Sequence, residues 1–174
     1  MRTIYIGGGT PTTLTAEQLR RLLKKVKETF DFTYLQEWTV EAGRPDSITK
    51  DKLVVLKEEG VTRISINPQS MQQKTLDLIG RKHTTEQIKE AFSLARECGH
   101  DNINMDLIIG LTGETAEDVR GTLEEIEKLS PDSLTVHTLA VKRAARLNIE
   151  MDRYRDQKSR EAVEMMTACQ EYTR

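Results

Sequence analysis

Three consecutive glycines, Gly7, Gly8 and Gly9, follow the apolar pair Tyr5-Ile6 and lead into Thr10-Pro11-Thr12. Such a run lets the backbone approach a ligand and exposes amides to a carboxylate or phosphate; a plain strand-to-helix turn uses the same residues. The run lacks a Gly-Lys-Ser/Thr ending and a second spaced glycine set, which excludes a nucleotide P-loop and a dinucleotide fingerprint. Glu41 ends a second apolar run and precedes Ala42-Gly43-Arg44-Pro45. A carboxylate there can hold an amine or a ribose hydroxyl pair, or be a solvated loop acid, as glutamates commonly are. Gln69, in Asn67-Pro68-Gln69, offers a donor and an acceptor to a ligand or to a neighbouring loop. Asp106 stands between Met105 and Leu107, where a charge is costly unless paired; a structural acid bonded to loop amides is the alternative. Arg81 can fork onto a carboxylate of a ligand or of Asp106, or lie on the surface like most arginines. His137-Thr138-Leu139-Ala140 closes a fifth run.

Other chemistry is sparse. His83, His100 and His137 lack metal-ligand spacing and read as structural or surface residues. Cys98 and Cys169 read as small core residues, and Trp38 as a core aromatic. No Ser-His-Asp or Cys-His arrangement emerges. A metal-independent enzyme using Asp106 as general base is the least favoured reading, because no proton-transfer partner is evident.

These residues need a frame. Short apolar runs at Thr3–Ile6, Glu37–Val40, Arg63–Ile66, Ile103–Ile109 and Ser133–Leu139 predict strands. Between them lie amphipathic stripes: Leu19, Leu22, Leu23, Val26; Leu53 to Leu56; Ile88, Ala91, Phe92, Ala95; and Val119, Leu123, Ile126, Leu129. A last helix within Ser159–Thr173 carries Ala162, Val163, Met166 and Cys169. Thr15 with Gln18 makes a capping box, Thr49, Thr85 and Thr115 are candidate N-caps, and Gly60 and Gly99 are C-terminal stops. Lys142–Gln157 is the least regular stretch, and its basic cluster reads as a loop.

The order β-α-β-α-β-α-α-β-α-β-α predicts a parallel α/β sheet covered on both faces, an open or partial barrel with ligands at the strand ends. Five units are too few for a closed barrel of ~250 residues. The 174 residues read as one domain, with 37% hydrophobic content and a net charge of −2. That charge gives no general attraction to nucleic acid, and no apolar run approaches the ~20 residues of a membrane span. With two cysteines, the chain is expected in a reducing, cytoplasmic setting.

Tyr5-Ile6-Gly7-Gly8-Gly9-Thr10-Pro11-Thr12, Val40-Glu41-Ala42-Gly43-Arg44-Pro45, Arg63 to Gln69, Ile79-Gly80-Arg81 and Asn104 to Leu111 together resemble a known family. They are similar, in order and spacing, to the radical S-adenosylmethionine (SAM) enzymes of the oxygen-independent coproporphyrinogen III oxidase group. The wording Glu-Ala-Gly-Arg-Pro and Leu134 to Ala140 is nearest the coproporphyrinogen dehydrogenase branch. The resemblance implies a partial (β/α) barrel of the radical SAM type. It implies a [4Fe–4S] cluster that reduces SAM to a 5′-deoxyadenosyl radical, and oxidative decarboxylation of a tetrapyrrole's propionates to vinyls in porphyrin and haem biosynthesis. By resemblance, Gly8, Gly9 and Thr10 contact SAM, Glu41 binds its ribose, Gln69, Arg81 and Asp106 surround it, and Ala140 lies near adenine.

The sequence departs from that family in one respect: its Cys-x₃-Cys-x₂-Cys cluster motif is absent. The expectation is a truncated core beginning at the family's second strand, with the first βα unit missing and the cluster held only by an intact parent. This chain alone is expected to be inactive, and to self-associate through the exposed edge of its first strand. A haem chaperone on the same core, or a non-catalytic α/β binding module, are the alternatives.

Overall fold

The computed structural model describes the backbone of residues 1–139 and 155–172, and the side chains of 1–139 and 162–172. In order the elements are β1 (Thr3–Ile6), α1 (Ala16–Thr29), β2 (Glu37–Gly43), α2 (Lys50–Glu58), β3 (Arg63–Gln69), α3 (Gln73–Leu78), α4 (Thr85–Glu97), β4 (Ile103–Ile109), α5 (Ala116–Leu129), β5 (Ser133–Thr138) and α6 (Arg155–Tyr172). Short 3₁₀ turns at Pro11–Thr13 and Pro45–Ser47 come after β1 and β2. The predicted order is reproduced. The strands lie side by side as β1-β2-β3-β4-β5, with β1 and β2, and β2 and β3, paired in parallel.

Two strands run further than their apolar runs suggested. β2 continues through Glu41 to Gly43 and β3 through Asn67 to Gln69, so those residues sit in the sheet rather than in loops after it. Between Glu41, opposite Ser65, and Gly43, opposite Ile66, β2 carries an extra residue, Ala42, in a bulge.

The two faces of the sheet differ in chemistry. One face carries Trp38, Val40, Ala42, Ile64, Ile66, Ile103, Met105, Leu107 and Ile109, all buried. The other carries Glu37, Thr39, Glu41, Arg63, Ser65, Asn67, Asn104, Asp106, Ser133 and Thr135, alternating with the first set along each strand. Ser65, Asn67 and Asn104 are buried, and side-chain hydrogen bonds offset the cost of that burial.

The described residues form two compact units: 1–68, 83–106 and 131–135; and 69–82, 107–130, 136–139 and 155–172. In the first, α1 packs on α2 and α2 on α4, burying Leu19, Leu23, Leu53, Leu56, Ile88, Phe92 and Ala95. Leu22 of the predicted α1 stripe is exposed. Trp38 is core as predicted, edge-on to Phe32 at 5.0 Å. In the second unit α6 packs on α5, where Val119, Leu123 and Ile126 are buried. The buried face of α6 is Met165, Ala168 and Cys169, while Val163 and Met166, placed on its apolar stripe from the sequence, are exposed.

Helix starts obey local chemistry. Thr15 with Gln18 forms the predicted capping box, and Thr115 forms another with Asp118. α4 is capped by Thr84, paired with Gln87, and not by Thr85, which is its first helical residue. Thr49 occupies the cap position of α2, but its hydroxyl bonds the Asp51 carboxylate and not a backbone amide. Gly60 and Gly99 stand just past the ends of α2 and α4 with φ of +85°, the left-handed stop predicted for them.

Cys98 caps the end of α4 and is half-buried rather than core, whereas Cys169 is buried as expected. His83 and His100 are buried, and His100 bonds Leu53 O at 3.0 Å; His137 is exposed on β5. Of the stretch predicted irregular, Lys142 to Tyr154 lies outside the described residues, and Arg155 to Gln157 are helical.

Candidate functional site

The polar face of the first unit is built by strand alternation. Glu41 on β2 accepts a hydrogen bond from Asn67 Nδ2 at 2.6 Å. Asn67 Oδ1 accepts from the Ser65 hydroxyl at 3.0 Å, and Ser65 Oγ accepts from Asn104 Nδ2 at 3.0 Å. The same Asn104 Nδ2 donates to Asp106 Oδ1 at 2.5 Å, while Asn104 Oδ1 accepts from Ser133 at 2.9 Å and Thr135 at 3.0 Å. The amide orientations are fixed chemically. An ionised carboxylate only accepts, so each asparagine turns its NH₂ to its acid. Arg63 reaches Ser133 Oγ at 3.2 Å and stands 3.9 Å from Glu37.

The glycine loop meets this face at Gly7. A Cβ placed on Gly7 would collide with the Tyr5 ring and come within 2.8 Å of Glu41 Oε2. Gly7 is therefore glycine because the carboxylate lies against it. Gly8, at φ +96°, and Gly9 have no atom within 4 Å of such a Cβ, so this part of the loop faces open space. Partial shielding from solvent and the nearby carboxylates of Glu41 and Asp106 push the Tyr5 phenol above its ordinary range. It therefore stays a donor at neutral pH.

Beyond the glycines, Thr10 and Thr12 are clamped to the end of β2. The Thr12 hydroxyl bonds Ala42 O and meets Ser47 Oγ at 2.6 Å. Lys52 Nζ donates to Thr12 O at 2.6 Å and Ser47 O at 3.0 Å, tying both 3₁₀ turns to α2. Gly43, at φ +69°, has the Thr10 Cγ2 methyl 2.8 Å from where its Cβ would be.

Gly8, Gly9, Thr10, Glu41 and Asp106 thus belong to one unit, with Glu41 and Asp106 joined by hydrogen bonds. Asp106 is half-buried and held by the Asn104 side chain rather than by loop amides. Gln69 and Arg81 belong to the second unit. Gln69 is buried in a left-handed conformation, φ +68°, which a non-glycine residue holds only where its surroundings enforce it. Arg81 comes after α3, its amide bonded to Leu76 O, and makes no ion pair among the described residues, with Asp106 or otherwise. Ala140 lies outside the described residues.

Sequence reasoning missed Tyr5, Thr12, Lys52, Ser65, Asn104 and the contact Asn67 makes. A signal was present: Arg63-x-Ser65-x-Asn67, Asn104-x-Asp106 and Ser133-x-Thr135 repeat polar residues at period two within apparently apolar runs.

An exposed glycine loop thus lies against a carboxylate that is held by an asparagine donor at the end of a parallel strand. The pattern that defines the Radical SAM superfamily matches residues 1–126, and the chain belongs to that superfamily. It is 49% identical over 173 residues to the oxygen-independent coproporphyrinogen-III oxidase-like protein HemZ of Bacillus subtilis, covering 99% of this chain and 34% of that one. It is 37% identical to the haem chaperone HemW of the same organism, covering 81% of this chain and 37% of that one. Its fold matches the radical SAM coproporphyrinogen III oxidase HemN of Escherichia coli with a TM-score of 0.79 and 28% identity, over 96% of this chain and 38% of that one. The partial-barrel α/β class predicted from the sequence is the one found. The chain spans about a third of the length of the curated relatives it matches.

Proposed function

We propose that this chain is the SAM-binding core of a coproporphyrinogen III oxidase-like radical SAM oxidoreductase. The observation that carries the reading is the Glu41 carboxylate held against Gly7 by Asn67, beside the exposed glycines Gly8 and Gly9. A carboxylate with one donor already in place keeps lone pairs for the vicinal hydroxyls of a ribose, which a neutral group would bind less well. The exposed backbone at Gly8 and Gly9 suits the carboxylate of an amino-acid moiety. Thr10 and Asp106, in the same unit as Glu41, belong to the proposed binding set, and Gln69, Arg81 and Ala140 are proposed for it from the family resemblance alone.

The residues present therefore fit SAM. They do not fit a [4Fe–4S] cluster: the chain has two cysteines, Cys98 and Cys169, and no group of three or more His, Cys, Asp or Glu among the described residues could hold a metal. Where cysteine ligands for a cluster are present, SAM and the cluster supply one-electron chemistry; this chain's residues bind and orient the adenosyl group. The tetrapyrrole substrate rests on similarity to the coproporphyrinogen oxidases, at 36% identity to the E. coli enzyme.

The haem chaperone reading is favoured by relatives of comparable similarity, HemW proteins at 33–39% identity. Haem binding against porphyrinogen decarboxylation, assayed on a polypeptide that includes the cluster ligands, separates the two. No described helix is long and apolar enough to cross a membrane, and two free thiols fit the proposed cytoplasmic setting. β1 is an edge strand with Tyr5 exposed, and we propose self-association through it, read as a concentration-dependent mass in light scattering.

Calorimetric titration with SAM tests the binding reading. Saturable binding that Glu41→Ala abolishes supports it; equal binding by both proteins overturns it.

A further inference from the structure

Glu41 and Asp106 are the two ends of one unbroken line of side-chain hydrogen bonds: Glu41 from Asn67, Asn67 from Ser65, Ser65 from Asn104, and Asn104 also to Asp106. Every member between the acids is buried, Ser65 at 2%, Asn67 at 8% and Asn104 at 2% exposure. Neither asparagine can flip, because a reversed amide would turn a carbonyl oxygen onto a carboxylate. The Asn104 carbonyl is in turn taken by Ser133 and Thr135, which anchors the line on β5.

A glutamate side chain free to rotate would have to be ordered when a ligand arrives, and that ordering would subtract from affinity. Here the ordering is done beforehand, by a donor 2.6 Å from Oε1 that itself cannot turn. We propose that Asn67 is a positioning residue: through the Ser65–Asn104 line it fixes the Glu41 carboxylate in the orientation that receives a vicinal diol, and so sets the preference of the site for ribonucleosides. This rests on Glu41 binding the ribose. Asn67 touches no reacting atom and acts through Glu41.

The test uses 5′-methylthioadenosine and its 2′,3′-dideoxy analogue, neither of which requires a cluster, with dissociation constants measured by calorimetry. Asn67→Ala is expected to weaken the ribonucleoside about tenfold, one charge-assisted hydrogen bond's worth, and to leave the dideoxy compound unchanged. Ser65→Ala, one bond further away and less prone to disturb folding, is expected to weaken the ribonucleoside about threefold with the same selectivity. A purely structural role would weaken both ligands together, and that result overturns the proposal. So does an Asn67→Ala protein that keeps the wild-type preference while Glu41→Ala loses it, in which case Glu41 remains the ribose ligand. Wild-type protein that binds neither compound, or a Glu41→Ala protein with unchanged preference, removes the SAM reading and this one with it.

Discussion

The Ser70 hydroxyl donates a 2.7 Å hydrogen bond to Glu114 Oε1, and both residues are buried. Glu114 Oε2 has no hydrogen-bond partner among the described residues. Thr122 stands beside Ser70 and takes the Met71 amide, so the carboxyl sits where the turn after β3 meets α5. Burial, with a smaller contribution from Asp118, pushes Glu114 above the usual carboxylate range, against the Ser70 bond and Lys74. Cys169 on α6 feels the same charge and is raised chiefly by its own burial.

The pH dependence comes from the sign of that shift. Between the unfolded value, about 4.3, and the raised folded value, the folded chain holds more protons, so stability falls as pH rises across that window. Glu114→Gln does not titrate. Its stability relative to wild type should rise by ~1 kcal/mol between pH 5 and pH 8 in denaturant unfolding. A difference that stays constant with pH would show that Glu114 is not the group responsible.

Gly43 tests the clamp on the glycine loop. An alanine there meets both the positive φ and the Thr10 methyl. Gly43→Ala should cost ~1–3 kcal/mol, and Thr10→Ser, which removes that methyl, should recover part of the loss in the double variant. Strictly additive effects would show that the two residues do not press on each other.

Asn104 uses its amide fully: donors to Asp106 and Ser65, acceptor from Ser133 and Thr135. Asn104→Leu keeps the bulk and strands those partners. A loss of ~2–4 kcal/mol in chemical denaturation is expected, larger than for Thr135→Val, which removes one bond. Equal losses would mean the line contributes little beyond its last member.

Iron–sulfur reconstitution of this chain, followed by reductant and SAM, should release no 5′-deoxyadenosine, since two cysteines are too few to ligate a [4Fe–4S] cluster. Product formed in proportion to bound iron would contradict this.

Much of the frame was legible because period and caps are local. The order of elements, the Thr15 box and the stops at Gly60 and Gly99 depend on neighbours a few residues apart. The ends of β2 and β3 were read short because Glu41 and Asn67 are polar, yet each finds a partner on the adjacent strand, which only tertiary pairing supplies. For the same reason Asp106 stood out as a costly charge while Asn104, the residue that pairs with it, did not. Thr84 displaced Thr85 as the cap because its hydroxyl reaches the Gln87 amide, a one-residue choice that helix spacing does not decide.

The bulge at Ala42 has a bearing on how this segment can change in length. Side chains alternate along β2 up to Glu41, and the additional residue resets the phase before Gly43 comes opposite Ile66. Removing one residue between Glu41 and Gly43 would put Arg44 where the left-handed turn and the Thr10 methyl demand a glycine. Adding one would carry the Ala42 carbonyl away from Thr12 and unfasten the loop. Homologous segments can exchange side chains here, but the count of residues is not free to drift.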